Sequence, residues 1–236
     1  MASGWLSRHA ALAVVAACLV AALLTWLALP PAEVEAWMSE TGPVERVTAA
    51  SYALCAVAAW ILRGRDDDWR STLAISTVMV AFCMRELDWH KAFTGNSVLR
   101  VSWYAGPASP QAKLVAALVL AAVLAALAWL VLRHARGLRQ GWERREPVAV
   151  TVVTFIAVLV LAKTLDRSVG ILVDDLHVGV PLHWKALRTA FEEWLELALS
   201  VLLLLGLFQH RAATIDACAS PPTSSSRSPS RSPPSR

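Results

Sequence analysis

The segment Arg85-Glu86-Leu87-Asp88-Trp89-His90-Lys91-Ala92-Phe93-Thr94 brings five ionisable side chains directly after the apolar run Leu73–Met84. Charges in that position stand where a membrane span would reach water. Within it, Arg85 and Asp88 are three residues apart and Glu86 and His90 four, so each pair shares a helix face. Paired bases and carboxylates inside a span belong to substrate and proton routes. An imidazole beside carboxylates can also hold zinc and activate water. His90, with an ordinary pKa of about 6.5, is the natural titrating member.

Two later segments carry similar sets. Lys163, Asp166 and Arg167 close the fifth apolar run, and Arg188, Glu192, Glu193 and Glu196 open the sixth. Glu45-Arg46 stand at the head of the second. The i, i+3 and i, i+4 spacings again put Lys163 beside Asp166 and Arg167, and Glu196 beside Glu192 and Glu193. An isolated charge at a bilayer centre costs at least about 2.5–3.5 kcal/mol, so these groups are expected to face one another or water, not lipid. Arg85 with Glu192 or Glu196, and Lys163 with Asp88, are the expected interhelical pairs.

Three chemistries fit this set. In the first, Arg85, Lys163 and Arg167 contact a small polar, anionic or lipid-headgroup ligand, while Glu86, Asp88, Glu192, Glu193 and Glu196 orient those bases or share protons among themselves. In the second, a divalent metal on His90 and Asp88, joined by His177 and His183 near Asp174 and Asp175, supports hydrolysis at the outer leaflet. In the third, the charges are structural ion pairs in a scaffold that needs no cofactor. The sequence has no HExxH, no GxSxG elbow, no Walker A loop, no GxGxxG and no CxxC. Glu192-Glu-Trp-Leu-Glu196 also differs from the Glu-Glu-x-x-x-Arg of intramembrane prenyl-protease-like enzymes.

The elements that must position these residues are long apolar runs. The chain of 236 residues is 56% hydrophobic and only 17% charged, against about one quarter charged in soluble domains. A hydrocarbon core of about 30 Å takes about 20 helical residues to cross, and backbone groups inside it must bond within their own segment. Six runs are predicted to do so: 10–29, 47–62, 71–88, 114–132, 148–166 and 187–208. The predicted fold is therefore an all-α polytopic membrane domain over residues 1–211. Pro30-Pro31, Pro107, Pro110, Pro147 and Pro181 fall between the runs, where helix breakers belong. The first run exceeds the usual signal-peptide length, so it is expected to stay as an anchor.

Thirteen Lys and Arg residues fall on the side of both termini and nine on the other, with six and twelve acids respectively. The positive-inside rule then predicts both ends in the cytoplasm, with the charged segments facing outward. His9, His134 and His210 sit at inner span ends beside arginines, and the tryptophans fit an interfacial belt. Cys18, Cys55, Cys83 and Cys218 show no paired spacing. Residues 212–236, rich in Ser, Pro and Arg, are predicted to form a disordered tail. The expected partners are the lipid bilayer and a small ligand, not nucleic acid.

On Glu40-Thr-Gly-Pro-Val-Glu45, on Arg85 to Thr94 and on Glu192-Glu-Trp-Leu-Glu196, the chain resembles a group of uncharacterised bacterial multi-pass inner-membrane proteins, a domain of unknown function. The resemblance covers most of the spans but not the tail. It implies a bacterial inner membrane and a recurring polar cluster, and it names no substrate.

Overall fold

The computed structural model describes residues 7–38, 42–65, 67–89, 101–170 and 179–219, and all regular structure among them is helical. Eight helices follow in order: α1 Ala10–Ala28, α2 Pro31–Trp37, α3 Pro43–Ile61, α4 Trp69–Glu86, α5 Val101–Ala105, α6 Pro110–Glu143, α7 Pro147–Gly170 and α8 Leu182–Ala219. Prolines start four of them, since the missing N–H is one a first turn leaves unbonded anyway. Asp68 caps α4 by accepting from the Arg70 N–H at 3.1 Å, and Ser109 caps α6 from the Ala112 N–H at 3.3 Å. Asp88, at φ 50°, turns the chain out of α4 in the left-handed region that Asp tolerates better than most residues.

Each of the six predicted runs coincides with a helix. Among the described residues four helices are long and apolar enough to cross a membrane, beginning at Ala10, Pro43, Pro110 and Pro147. Helix α4 carries Arg70, Arg85 and Glu86 in its 18 residues, and α8 has a charged first half followed by a buried apolar run. Three details differ from the sequence reading. Helix α4 ends at Glu86, two residues early, because Asp88 leaves helical geometry. Short helices α2 and α5 occupy stretches read as loop. Helix α8 continues through residues 212–219, so its end lies beyond the expected domain boundary at 211. The tail from 220 onward lies outside the described residues.

Helix α8 is the axis of the bundle. It packs against α1, α3 and α7, and α2 lies across its first turns. Helix α4 packs on α3 and α6, and α6 returns to α7. Leu195, Leu199 and Leu202 of α8 are fully buried with Tyr52 and Cys55 of α3. A smaller core joins Val34 and Met38 to Ala186 and Ala190. In contrast α6 leaves Leu114, Val115, Leu118, Leu124 and Leu132 exposed, and α1 exposes Leu12, Leu24 and Leu27. Such apolar outer faces suit hydrocarbon, not water. At 1.5 Å per residue α6 is about 51 Å long, so it outruns a core of about 30 Å.

Helices α3 and α8 run parallel in a fixed register. The Tyr52 hydroxyl donates to the Glu196 carbonyl at 3.4 Å, and the Cys55 thiol to the Ser200 carbonyl at 3.3 Å. Helix α1 runs the other way, with the Trp26 indole on the His183 carbonyl at 3.0 Å and the Gln209 amide on the Ser7 carbonyl at 3.4 Å. The start of α3, the ends of α4 and α7 and the first half of α8 therefore share one end of the bundle.

Candidate charged site

That shared end gathers the ionisable residues. Glu196, 3% exposed, points one carboxylate oxygen at two cations. Its Oε1 accepts from Arg85 Nη2 at 2.7 Å and from Lys163 Nζ at 2.7 Å. One oxygen thus joins α4, α7 and α8. Arg85 also lies 3.6 Å from Glu86, and Lys163 3.8 Å from Asp166. A second group adjoins the first: Arg188 Nη1 donates to Glu192 at 2.7 Å and stands 3.9 Å from Asp166. Charge-assisted bonds at this length are the strong class of hydrogen bond.

Not every group in the cluster is satisfied. Glu86 is 4% exposed, and its Oε1 has no hydrogen-bond donor. Glu193 Oε2 is likewise buried without a donor, in the field of Glu196, Glu192, Glu86 and Glu45. The Thr48 hydroxyl, fully buried one turn before Tyr52, and Arg188 Nε also lack partners. A buried polar atom without a partner costs about 1–3 kcal/mol, and more when the group is charged. Several such atoms at one end of one bundle call for an explanation beyond packing.

Of the residues singled out in the sequence, Arg85, Glu86, Lys163, Asp166, Glu192, Glu193 and Glu196 come together. Arg85 meets Glu196, one of its two expected partners, whereas Lys163 reaches Glu196 and Asp166. Asp88 lies partly buried in the turn that ends α4, and Arg167 is exposed. His90 and His177, with Asp174 and Asp175, lie outside the described residues. His183 is exposed, with its ring against Trp184, and its carbonyl serves the packing of α1. Among the described residues no group of three His, Cys, Asp or Glu side chains is placed to hold a metal ion. Glu45, which the sequence placed at the head of its span, joins the site from α3 together with Thr48 and Tyr52, which the sequence reading did not include. Their signal is the i, i+3, i+7 repeat of polar groups along an otherwise Ala-rich span.

The opposite end holds a different polar set. The Gly64 N–H donates to Asp67 Oδ2 at 2.6 Å, and His210 Nε2 lies 3.1 Å from Asp67 Oδ1. Burial alone would raise the Asp67 carboxyl, but the Gly64 N–H, His210 and Arg211 together hold it below its ordinary value. The packing around Gly64 is close: a Cβ there would come 3.1 Å from Arg211 Nη1 and 3.2 Å from Asp67 Oδ2, so both side chains would have to shift slightly. Ser71 Oγ, 3.2 Å from Asp68 Oδ2, also stands 2.9 Å from His134 Nε2. These contacts tie the α3–α4 turn to α6 and α8.

The chain matches no protein-family model, no curated protein and no solved structure.

Proposed function

We propose that this chain is an integral protein of a bacterial inner membrane that relays protons through the charged end of its bundle. In this reading all six long helices cross the bilayer, both termini are cytoplasmic, and the site opens toward the periplasm. The excess of Lys and Arg on the side of the termini supports that orientation. The exposed leucines of α1 and α6 support the bilayer as solvent.

The observation that carries the relay is the pair of buried carboxylate oxygens beside Glu196 that no hydrogen bond satisfies, Glu193 Oε2 and Glu86 Oε1, the latter held only by the longer 3.6 Å ion pair to Arg85. Arg85 and Lys163 are already engaged by Glu196. They are poorly free to take an anionic headgroup, which was the other ligand class the sequence suggested. What remains open are acceptors, and carboxyls facing one another inside a span are proton carriers. Glu193 and Glu86 would hold and pass the proton, while Arg85, Lys163 and Glu196 keep α4, α7 and α8 in place.

The test is proton flux in liposomes that contain the purified protein and an entrapped pH-sensitive dye, driven by an imposed potential. Wild type should acidify the lumen faster than protein-free liposomes. Glu193→Gln should reduce that rate about tenfold with an unchanged melting temperature. Wild-type flux equal to that of empty liposomes overturns the reading. A second reading, a structural network, is favoured by the doubly bonded Glu196 Oε1. It expects Glu193→Gln to alter stability and nothing else.

A further inference from the structure

At the end of the bundle away from Glu196, the Arg70 guanidinium forms no ion pair among the described residues. The acids nearest it are engaged elsewhere. Asp68 accepts from the Arg70 backbone N–H with one oxygen and from the Ser71 hydroxyl with the other. Asp67 is held by the Gly64 N–H and His210. The guanidinium lies instead against two indoles, 5.8 Å from the ring centre of Trp69 and 5.8 Å from that of Trp129. Trp69 belongs to α4 and Trp129 to α6, so a cation–π contact on each helix holds the charge at their seam. Such contacts engage the charge and leave the guanidinium N–H groups in need of acceptors.

A second base stands at the same seam. Ser71 Oγ is 2.9 Å from His134 Nε2, which sets the residues just before them, Arg70 and Arg133, at about one level. Arg133 is exposed, forms no ion pair among the described residues, and shares a face of α6 with Trp129 one turn away. Further along α6 the arginines do meet acids: Arg139 is 3.2 Å from Glu143, and Arg144 is 4.0 Å from Glu146. Next to the two bases the surface is apolar. Leu73, 47% exposed, shares a face of α4 with Trp69 and Arg70, and Leu132, 84% exposed, lies three residues from Trp129. The apolar run of α6 ends at Leu132, so both bases stand where hydrocarbon gives way to headgroups.

We propose that the α4–α6 seam binds an anionic phospholipid, with its phosphate on Arg70 and Arg133 and its acyl chains along Leu73 and Leu132. The planar fork of a guanidinium matches phosphate oxygens, and a stacked guanidinium is already oriented to use it. The flanking leucines favour a lipid over a free anion, since a soluble phosphate gains nothing from them. Charge attraction near an anionic leaflet adds about 1 kcal/mol per base. This inference rests on the reading that α4 and α6 cross the bilayer, and it is independent of the proton relay.

The probe is dioleoyl phosphatidylglycerol, added to the detergent-purified full chain while its melting temperature is followed. Dioleoyl phosphatidylcholine, with the same chains and a neutral headgroup, and inorganic phosphate are the comparison arms. A ligand that binds only the folded state raises the melting temperature in a saturable way. Phosphatidylglycerol should raise it by several degrees more than either comparison. Arg70→Gln and Arg133→Gln, both at exposed positions, should each remove at least half of that difference, and Arg139→Gln should keep it. Equal shifts with the two lipids overturn the proposal from wild type alone. An equal shift with inorganic phosphate overturns the lipid as occupant. Equal losses in all three variants overturn the site, because diffuse surface charge then explains the binding. Release of the chain from membranes by alkaline carbonate would remove the bilayer reading itself. Retention in the membrane without a phosphatidylglycerol effect removes only the headgroup site.

Discussion

Glu196 Oε1 stands 2.7 Å from Arg85 Nη2 and 2.7 Å from Lys163 Nζ, so one buried oxygen binds two bases on two other helices. The arrangement is asymmetric. Glu196 is almost fully buried, while the side chains of Arg85 and Lys163 are about one third exposed. Removing the acid leaves both cations only their longer pairs, Arg85 with Glu86 at 3.6 Å and Lys163 with Asp166 at 3.8 Å. Removing either base leaves the acid one partner. Breaking a buried pair from one side costs about 3–5 kcal/mol, and the partial exposure of the bases puts Glu196→Ala near the lower end, about 3 kcal/mol. Arg85→Ala or Lys163→Ala should cost roughly half as much. Unfolding in detergent measures all three, and equal losses would contradict the shared-oxygen geometry.

Glu196 also marks how far the sequence could be read. The i, i+3 and i, i+4 spacings give the residues that share a face of one helix, and those neighbours were legible. Which helix each face meets depends on rotation and on close approach, which hydropathy does not encode. Lys163 reaches Glu196 because α7 lies directly on α8. The burial pattern was hidden for a related reason. Helices α6 and α8 both contain long leucine-rich runs, yet α6 stays exposed while α8 is the axis. Between helices in lipid there is little hydrophobic drive, so small and polar residues decide the contacts. Helix α8 supplies Ala186, Ala190, Ala198 and Ser200, and α3 supplies Ala49, Ala56 and Ala59, all buried. The Thr48 hydroxyl was missed because it reads as an ordinary residue of an apolar helix until its lack of a partner is seen.

The Asp67 contacts predict an acid-labile tie at the far end of the bundle. Its carboxyl is held below its ordinary value by the Gly64 N–H, His210 and Arg211, against the effect of burial. The folded value therefore lies below the unfolded one of about 3.9. The stabilisation is complete above that unfolded value and is lost as pH falls through the folded one. Asp67→Asn should lower the melting temperature at neutral pH and flatten its decline from about pH 4 downward. Parallel curves for wild type and variant over that range would remove Asp67 as the source.

A neutral buried pair gives a contrasting case. Thr151 donates to Gln209 Oε1 at 2.7 Å, with both residues buried between α7 and α8. Thr151→Val keeps the shape and leaves the amide oxygen without its donor, at about 1–3 kcal/mol. Adding Gln209→Leu should recover part of that loss, since it removes the stranded amide oxygen, less the cost of the 3.4 Å bond from the Gln209 amide to the Ser7 carbonyl. Two strictly additive losses in the thermal melts would show that the pair is not coupled. Neither change should be sensitive to pH.

Orientation is tested without touching the charged site. Helix α6 joins two reporter positions, the 105–109 turn before its first residue and Gln140 near its last. Five arginines at 133–145 belong to the Gln140 end, where the helix outruns the hydrocarbon core. A reporter active only in the cytoplasm should signal when fused after Gln140 and stay silent in the 105–109 turn. A reporter active only in the periplasm should give the opposite pair. Signals in this sense put Glu196 and its bases at the outer face, where a relay would exchange protons with the periplasm. Reversed signals would turn the bundle over and set the same carboxyls against the cytoplasm. Like signals at both positions would mean that α6 does not cross, despite an apolar window far beyond what a soluble helix carries.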